Sequence, residues 1–178
     1  MAKKILIGVG VILLLIGAFV GYASTKPDVF EVQRSLVINA PAEKIFPHVN
    51  NFHAWEAWSP YEAKDPKMKR SFSGPESGKG AKYAWDGNDE VGAGNMEMQI
   101  SDAPNKISIR LEFTKPFQGV NTAEFTFTPQ GEGTNVVWKM TGPNPLMCKV
   151  MQTIMDMDKM CGDDFAKGLA KLKALAEK

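Results

Sequence analysis

Long runs of like charge, a cysteine framework and metal-ligand spacings are all missing from this 178-residue chain. It has 21 basic and 20 acidic residues, a formal charge of +1. Lys3 and Lys4 precede position 24 and every acidic residue follows it, so the rest of the chain holds 19 basic against 20 acidic groups. No basic stripe is present to neutralise a phosphate backbone, which argues against nucleic acid as a partner. Only two cysteines occur, Cys148 and Cys161, in a segment of helical periodicity. A straight helix would hold them roughly 20 Å apart, beyond disulfide reach; a break, conceivable at Gly162-Asp163, would be needed to join them. The two histidines, His48 and His53, diverge by about 140° on one helix, and no HExxH or CxxC accompanies them. Neither a metal nor a cofactor is expected. The string Gly74-Pro-Glu-Ser-Gly-Lys-Gly80 lacks phosphate-loop spacing and ends on Gly where Ser or Thr should hold Mg²⁺, so it reads as a hairpin turn.

What the chain does have is one long apolar run. From Ile5 to Tyr22 no charge interrupts ILIGVGVILLLIGAFVGY. As a helix it covers roughly 27 Å, close to the hydrocarbon thickness of a bilayer. A signal peptide is the competing reading, with Gly21-Tyr22-Ala23 as a small-x-small cleavage site, but its apolar region is usually only about 7–15 residues long. An uncleaved single-pass anchor over 1–23 is therefore the expectation, with membrane contact through residues 5–22, a linker at 24–28 and one domain over 29–178. Lys3 and Lys4 place the N-terminus in the cytoplasm and the domain across the membrane. If the segment is cleaved, the product is an exported soluble protein.

The remaining 150 or so residues, enough for one domain, change period twice. Phe30, Val32, Leu36 and Ile38 alternate, which predicts a strand over 29–39 with Arg34 in its buried phase. Ala40-Pro41-Ala42-Glu43 reads as a helix start with Pro41 at the first position, followed by a short element holding Trp55 and Trp58. From Met68 to Thr141 six strands separated by Gly, Pro and Asn form an antiparallel meander, with Met96, Met98 and Ile100 on one face. The last 30 residues return to helical spacing. Met147, Val150, Ile154, Met157, Cys161, Phe165, Leu169, Leu172 and Leu175 fall on one stripe, predicting a long helix whose apolar side needs the sheet as its partner.

This order resembles the SRPBCC superfamily, the START-like or helix-grip fold that includes polyketide cyclase/dehydratase and lipid-transport-type domains. The strings that carry the likeness are RSLVINAPAEKIFPHVNNFHAWEAWSPYEAKDP at 34–66, FSGPESGKGAKYAWDGN at 72–88, FTKPFQGVNTAEFTFTPQGEGTNVVWKMTG at 113–142 and GDDFAKGLAKLK at 162–173. The resemblance implies an α+β fold in which a curved antiparallel sheet of about seven strands wraps around a long C-terminal helix, with a hydrophobic cavity between them. Read from the residues alone, the aromatic and methionine side chains would simply fill one another's space. With the resemblance, the positions expected to line the cavity are Tyr83, Trp85, Met98, Leu111, Phe113, Phe125, Trp138, Met140, Met151, Ile154 and Phe165, with Trp55 and Trp58 near the mouth. Clustered methionines, Met147, Met151, Met155 and Met157, would supply an adaptable wall.

Catalysis has no local signature: there is no nucleophile elbow, and no histidine stands near either cysteine in sequence. Asp86, His53 and Asp158 are the weak candidates for acid or base, and the balance leans against an enzyme. Arg34 and Asp158 fall in or beside apolar phases, where each could meet the other, meet a ligand's polar head, or reach past the edge into solvent. The expectation is membrane-tethered binding of a small hydrophobic or amphipathic, lipid-like ligand. A cyclase, dehydratase or hydrolase acting on such a ligand is the first alternative. The second is a protein-interaction module resembling Hsp90-activator domains.

Overall fold

The computed structural model of the chain describes residues 2–178, the side chains of Ala2, Lys3 and Met157 excepted. Helix α1 (Ala2–Ser24) is followed by strand β1 (Val29–Ile38), helix α2 (Ala42–Asn50), a 3-10 helix at Phe52–Ala57 and helix α3 (Pro60–Lys64). Strands β2 (Lys69–Ser73), β3 (Lys82–Asp86), β4 (Ala93–Asp102), β5 (Lys106–Lys115), β6 (Gly119–Gln130) and β7 (Gly133–Pro143) come next, and helices α4 (Leu146–Ile154) and α5 (Met157–Ala176) close the chain. Each strand pairs antiparallel with the next from β2 to β7, and β1 adds beside β7, giving the order β1-β7-β6-β5-β4-β3-β2. The fold is α+β and helix-grip: α5 lies against β1 and β7 on the inner face of the sheet.

The stripe expected on one terminal helix is divided between two. Met155 donates its N–H to Met151 and ends α4, and the Asp156 carboxylate accepts the Lys159 N–H at 2.9 Å and starts α5. The break therefore falls at Met155-Asp156, not at Gly162-Asp163, and both cysteines remain free thiols. Met157, on the expected stripe, has its side chain outside the described residues. Two smaller expectations also shift. Pro41 stands just outside α2 with extended backbone, and a register shift between Met98 and Ile100 turns Ile100 to solvent, as a bulge does.

One half of the interior is solid. Ile38, Ile45, Val49, Ile107, Ile109, Val136, Leu169 and Leu172 are all buried there, and Phe46 meets Phe127 with ring centroids 5.4 Å apart. Among the described residues one helix, Lys4–Ser24, is long and apolar enough to cross a membrane, with a mean hydropathy of 2.6. The same length and composition would also suit a signal sequence.

Candidate functional site

The other half of the interior is hollow, and the inward residues of the strands explain why. Along β6 they run Phe127, Phe125, Ala123, so the volume of a ring is withdrawn at the third position. Small residues also bring the α5 backbone close to the sheet: a Cβ at Gly168 would strike the Trp138 ring. The space left between α3, the first half of α5 and the strands is a cavity of about 260 Å³. Trp55, Met68, Tyr83, Trp85, Val91, Met96, Leu111, Phe113, Ala123, Trp138, Met140, Met160 and Phe165 line it, with Ser59, Tyr61, Glu62, Lys64, Glu90, Cys161 and Asp164 as the polar positions.

Two polar groupings interrupt this apolar wall. The buried Glu62 carboxylate accepts from the Tyr83 hydroxyl at 2.7 Å and from Arg70 Nε at 2.7 Å. Two residues further along α3, Lys64 Nζ pairs with Asp164 of α5 at 2.5 Å. Burial, and then the neighbouring Glu62 carboxylate, push the Tyr83 phenol well above its ordinary range. Burial does the same to Tyr61, with Cys161 and Asp164 adding to it. The Cys161 thiol is likewise raised by burial and by Asp164, against an opposing pull from Lys64. One buried donor away from the cavity surface is unpaired. Trp138 is 3% exposed, and its indole N–H has no hydrogen-bond partner among the described residues. An unpaired buried donor costs about 1–3 kcal/mol. The other three indoles are satisfied: Trp55 donates to Val49, Trp58 to His48 and Trp85 to Val91.

Eight of the residues expected at the cavity are on its wall: Trp55, Tyr83, Trp85, Leu111, Phe113, Trp138, Met140 and Phe165. Five are elsewhere. Met98 and Phe125 point inward but belong to the solid half, where both are fully buried. Trp58 is buried beneath Phe125 and Trp138 rather than standing at a mouth, and Trp55 is a buried part of the wall for the same reason. Met151 and Ile154 lie on α4, which the break at Met155-Asp156 carries away from the cavity. The methionines that do line it are Met68, Met96, Met140 and Met160. Tyr61, Glu62 and Lys64 were missed because a five-residue helix such as α3 shows no period from which an inward side can be read, and Asp164 because it is a charged residue at the margin of the α5 stripe.

None of the three weak acid–base candidates reaches the cavity. Asp86 is exposed and paired with Lys115 at 3.0 Å; His53 is exposed and stacks on Phe72 at 3.8 Å. Asp158 takes two hydrogen bonds from Arg34, at 3.1 Å from Nη1 and 3.0 Å from Nη2, while Nη2 also donates to the Asp158 carbonyl at 3.1 Å. That bonding holds the Asp158 carboxyl below the usual carboxylate range. The pair ties β1 to the first turn of α5, and the lack of a side chain at Gly162 admits the guanidinium, which a Cβ there would strike. Among the described residues no cluster of three metal-ligating side chains is found.

Residues 29–177 match a family described as polyketide cyclase/dehydrase and lipid transport. No curated protein matches the chain. Among solved structures, protein CV1439 from Chromobacterium violaceum is similar over 86% of this chain and 99% of its own, at 15% identity and a TM-score of 0.59. The Aha1 dimer from Colwellia psychrerythraea is similar over 83% of this chain and 96% of its own, at 17% identity and a TM-score of 0.58. StfQ, a di-domain ARO/CYC from the steffimycin biosynthetic pathway, aligns with 84% of this chain over 51% of its own length, at 13% identity and a TM-score of 0.60. At these identities the likeness is one of fold.

Proposed function

Because the chain belongs to the polyketide cyclase/dehydrase and lipid transport family, we propose that its cavity binds a small amphipathic molecule, held at a membrane by α1. The observation that carries this reading is the cavity itself, walled mostly by aromatic, methionine and aliphatic side chains and crossed by a few fixed charged groups, Glu62 with Arg70 and Lys64 with Asp164. A mostly apolar wall with a few fixed polar groups suits a guest that is largely apolar and carries a polar end. A cavity of about 260 Å³ is just below the range of roughly 300–1,000 Å³ usual for small-molecule sites. The guest is therefore small, or it leaves part of itself outside. Tethering through α1 keeps the cavity where apolar molecules concentrate. The domain then stands across the membrane from a cytoplasmic N-terminus.

The test compares the full chain with Ala123→Leu, which fills the cavity from β6. Solvent extraction and mass spectrometry of the two purified proteins should show an amphiphile in the parent and its loss in the variant. Identical extracts from both would refute cavity binding.

A second reading, turnover of such a guest, has one observation in its favour. Glu62 and Tyr83 form a hydrogen-bonded carboxylate and phenol on the cavity wall, a pair able to hold and pass a proton. Any such chemistry would rest on these two residues, not on Asp86, His53 or Asp158.

A further inference from the structure

We propose that the end of the domain carrying the cavity mouth rests on the bilayer entered by α1, with α4 and the β5–β6 turn as the elements that dip into it. This rests on the tethered, ligand-binding reading above and adds the direction from which the guest arrives.

The register of the sheet places the relevant features at one end. Val29, the start of β1, lies opposite Pro143, the end of β7. Thr122 near the start of β6 pairs with Thr141, Phe113 near the end of β5 pairs with Gly119, and Asp86 at the end of β3 pairs with Ala93. The exit of α1, the entry to α4, the β5–β6 turn and the β3–β4 loop therefore share an end. So does the cavity mouth, since Glu90 and Val91 come from the β3–β4 loop, Phe113 from the end of β5, and Lys64 is tied to that loop through Asn88. The opposite end holds the solid half of the core.

At this end several large apolar residues face outward, beside the exposed charges of Asp28, Asp86, Glu90 and Lys115. Helix α4 is inside out. Met147 is 67% exposed and Ile154 is 75% exposed on its outer side, whereas Lys149 points inward and pairs with Asp28 at 2.6 Å. Phe117, at the tip of the β5–β6 turn, is 67% exposed, and Met160 stands exposed at the rim of the cavity. Apolar residues collected on one end of a water-soluble domain mark an interaction surface. The occupant follows from the connection to α1. Helix α4 packs beside α1, and only Thr25–Asp28 separates α1 from β1. That connector is latched: Asn144 donates to the carbonyls of Asp28 and Pro27 at 2.8 and 2.9 Å, and Lys26 donates to the Gln152 carbonyl at 3.3 Å. An α1 that spans a bilayer must then bring α4 to the lipid headgroups, where an outward apolar face is favourable.

The test uses the unsubstituted full chain in phosphatidylcholine–phosphatidylglycerol vesicles containing a phosphatidylcholine with a photoreactive acyl chain. After illumination, cross-linked positions are located by mass spectrometry. Label on α1, on residues 145–155 and on residues 116–120, at least tenfold above that on the far β6–β7 turn at 130–133, is the expected result. Label on α1 and the cavity wall alone would overturn the docking while leaving the tether and the cavity standing. Absence of label from α1 would overturn the tether and, with it, this inference. As a second measure, Phe117→Asp with Ile154→Asp should slow uptake of a fluorescent medium-chain fatty acid from vesicles about tenfold without changing the amount bound at equilibrium; unchanged uptake would also overturn it.

Discussion

The two halves of the interior are built on the same strands and the same helix, yet one is solid and the other hollow. Strand β5 supplies Ile107 and Ile109 to the solid half and Leu111 and Phe113 to the hollow one. Strand β7 likewise supplies Val136 to the first and Trp138 and Met140 to the second. Backbone geometry does not separate them. The difference lies in a few side-chain volumes, chiefly Ala123 where β6 elsewhere carries phenylalanine, and in which helix covers the sheet. Helix α2 and the second half of α5 pack into the solid end, while the short α3 spans the hollow one. A core can therefore be emptied locally without any change of fold, at the cost of the packing that end would otherwise contribute.

The largest effect that would sharpen this contrast is a pair of identical truncations. Leu169→Ala removes a side chain surrounded on all sides and should destabilise by about 4–5 kcal/mol, whereas Leu111→Ala enlarges an existing void and should cost about 2–3 kcal/mol. Urea denaturation of both variants measures the difference. Equal losses would mean that the hollow half is packed as tightly as the solid one.

Much of this arrangement is legible in the sequence. Alternation along β3, β5 and β7 identified inward residues that line the cavity, Tyr83, Trp85, Leu111, Phe113, Trp138 and Met140. The residues misplaced in the sequence reading share a cause. Periodicity says that Met98 and Phe125 face inward, but not which end of the interior receives them. That is decided by register and by the helix above. Met151 and Ile154 were misplaced because an apolar stripe continues across Met155-Asp156 although the helix does not. Asp156 as a cap was the available signal for that break. The polar side of the site was hidden for a different reason: Glu62 and Lys64 are charged residues on a five-residue helix, where charge ordinarily indicates solvent.

Enlarging side chains should act in the reverse sense and by a smaller amount. Ala123→Leu places new methylene groups in free space and should stabilise by about 1 kcal/mol, while Val136→Phe overfills the solid half and should cost about 1–3 kcal/mol. Thermal melting of both variants tests the pair, and a destabilising Ala123→Leu would break the contrast.

The smallest effect at neutral pH concerns Tyr61 and Tyr83, which both belong to the hollow wall. Burial raises both phenols in the folded chain above the ordinary value of about 10. The unfolded chain therefore gives up these protons first, so stability is complete below about pH 10 and is lost as the pH rises beyond it. In a Tyr22→Phe background, absorbance of phenolate should consequently lag until hydrogen exchange shows the hollow half opening. Full ionisation of both in a still-folded protein at about pH 10.5 would contradict their burial.

The connector Thr25–Asp28 has one more consequence on the tethered reading. Even pulled straight, four residues reach only about 14 Å, and here they are fastened at Asn144 and Gln152 besides. A domain on so short a lead cannot commute between two membranes as a freely diffusing shuttle would. It is a fixture rather than a ferry: cargo is exchanged with the leaflet underfoot, and any recipient has to come to it.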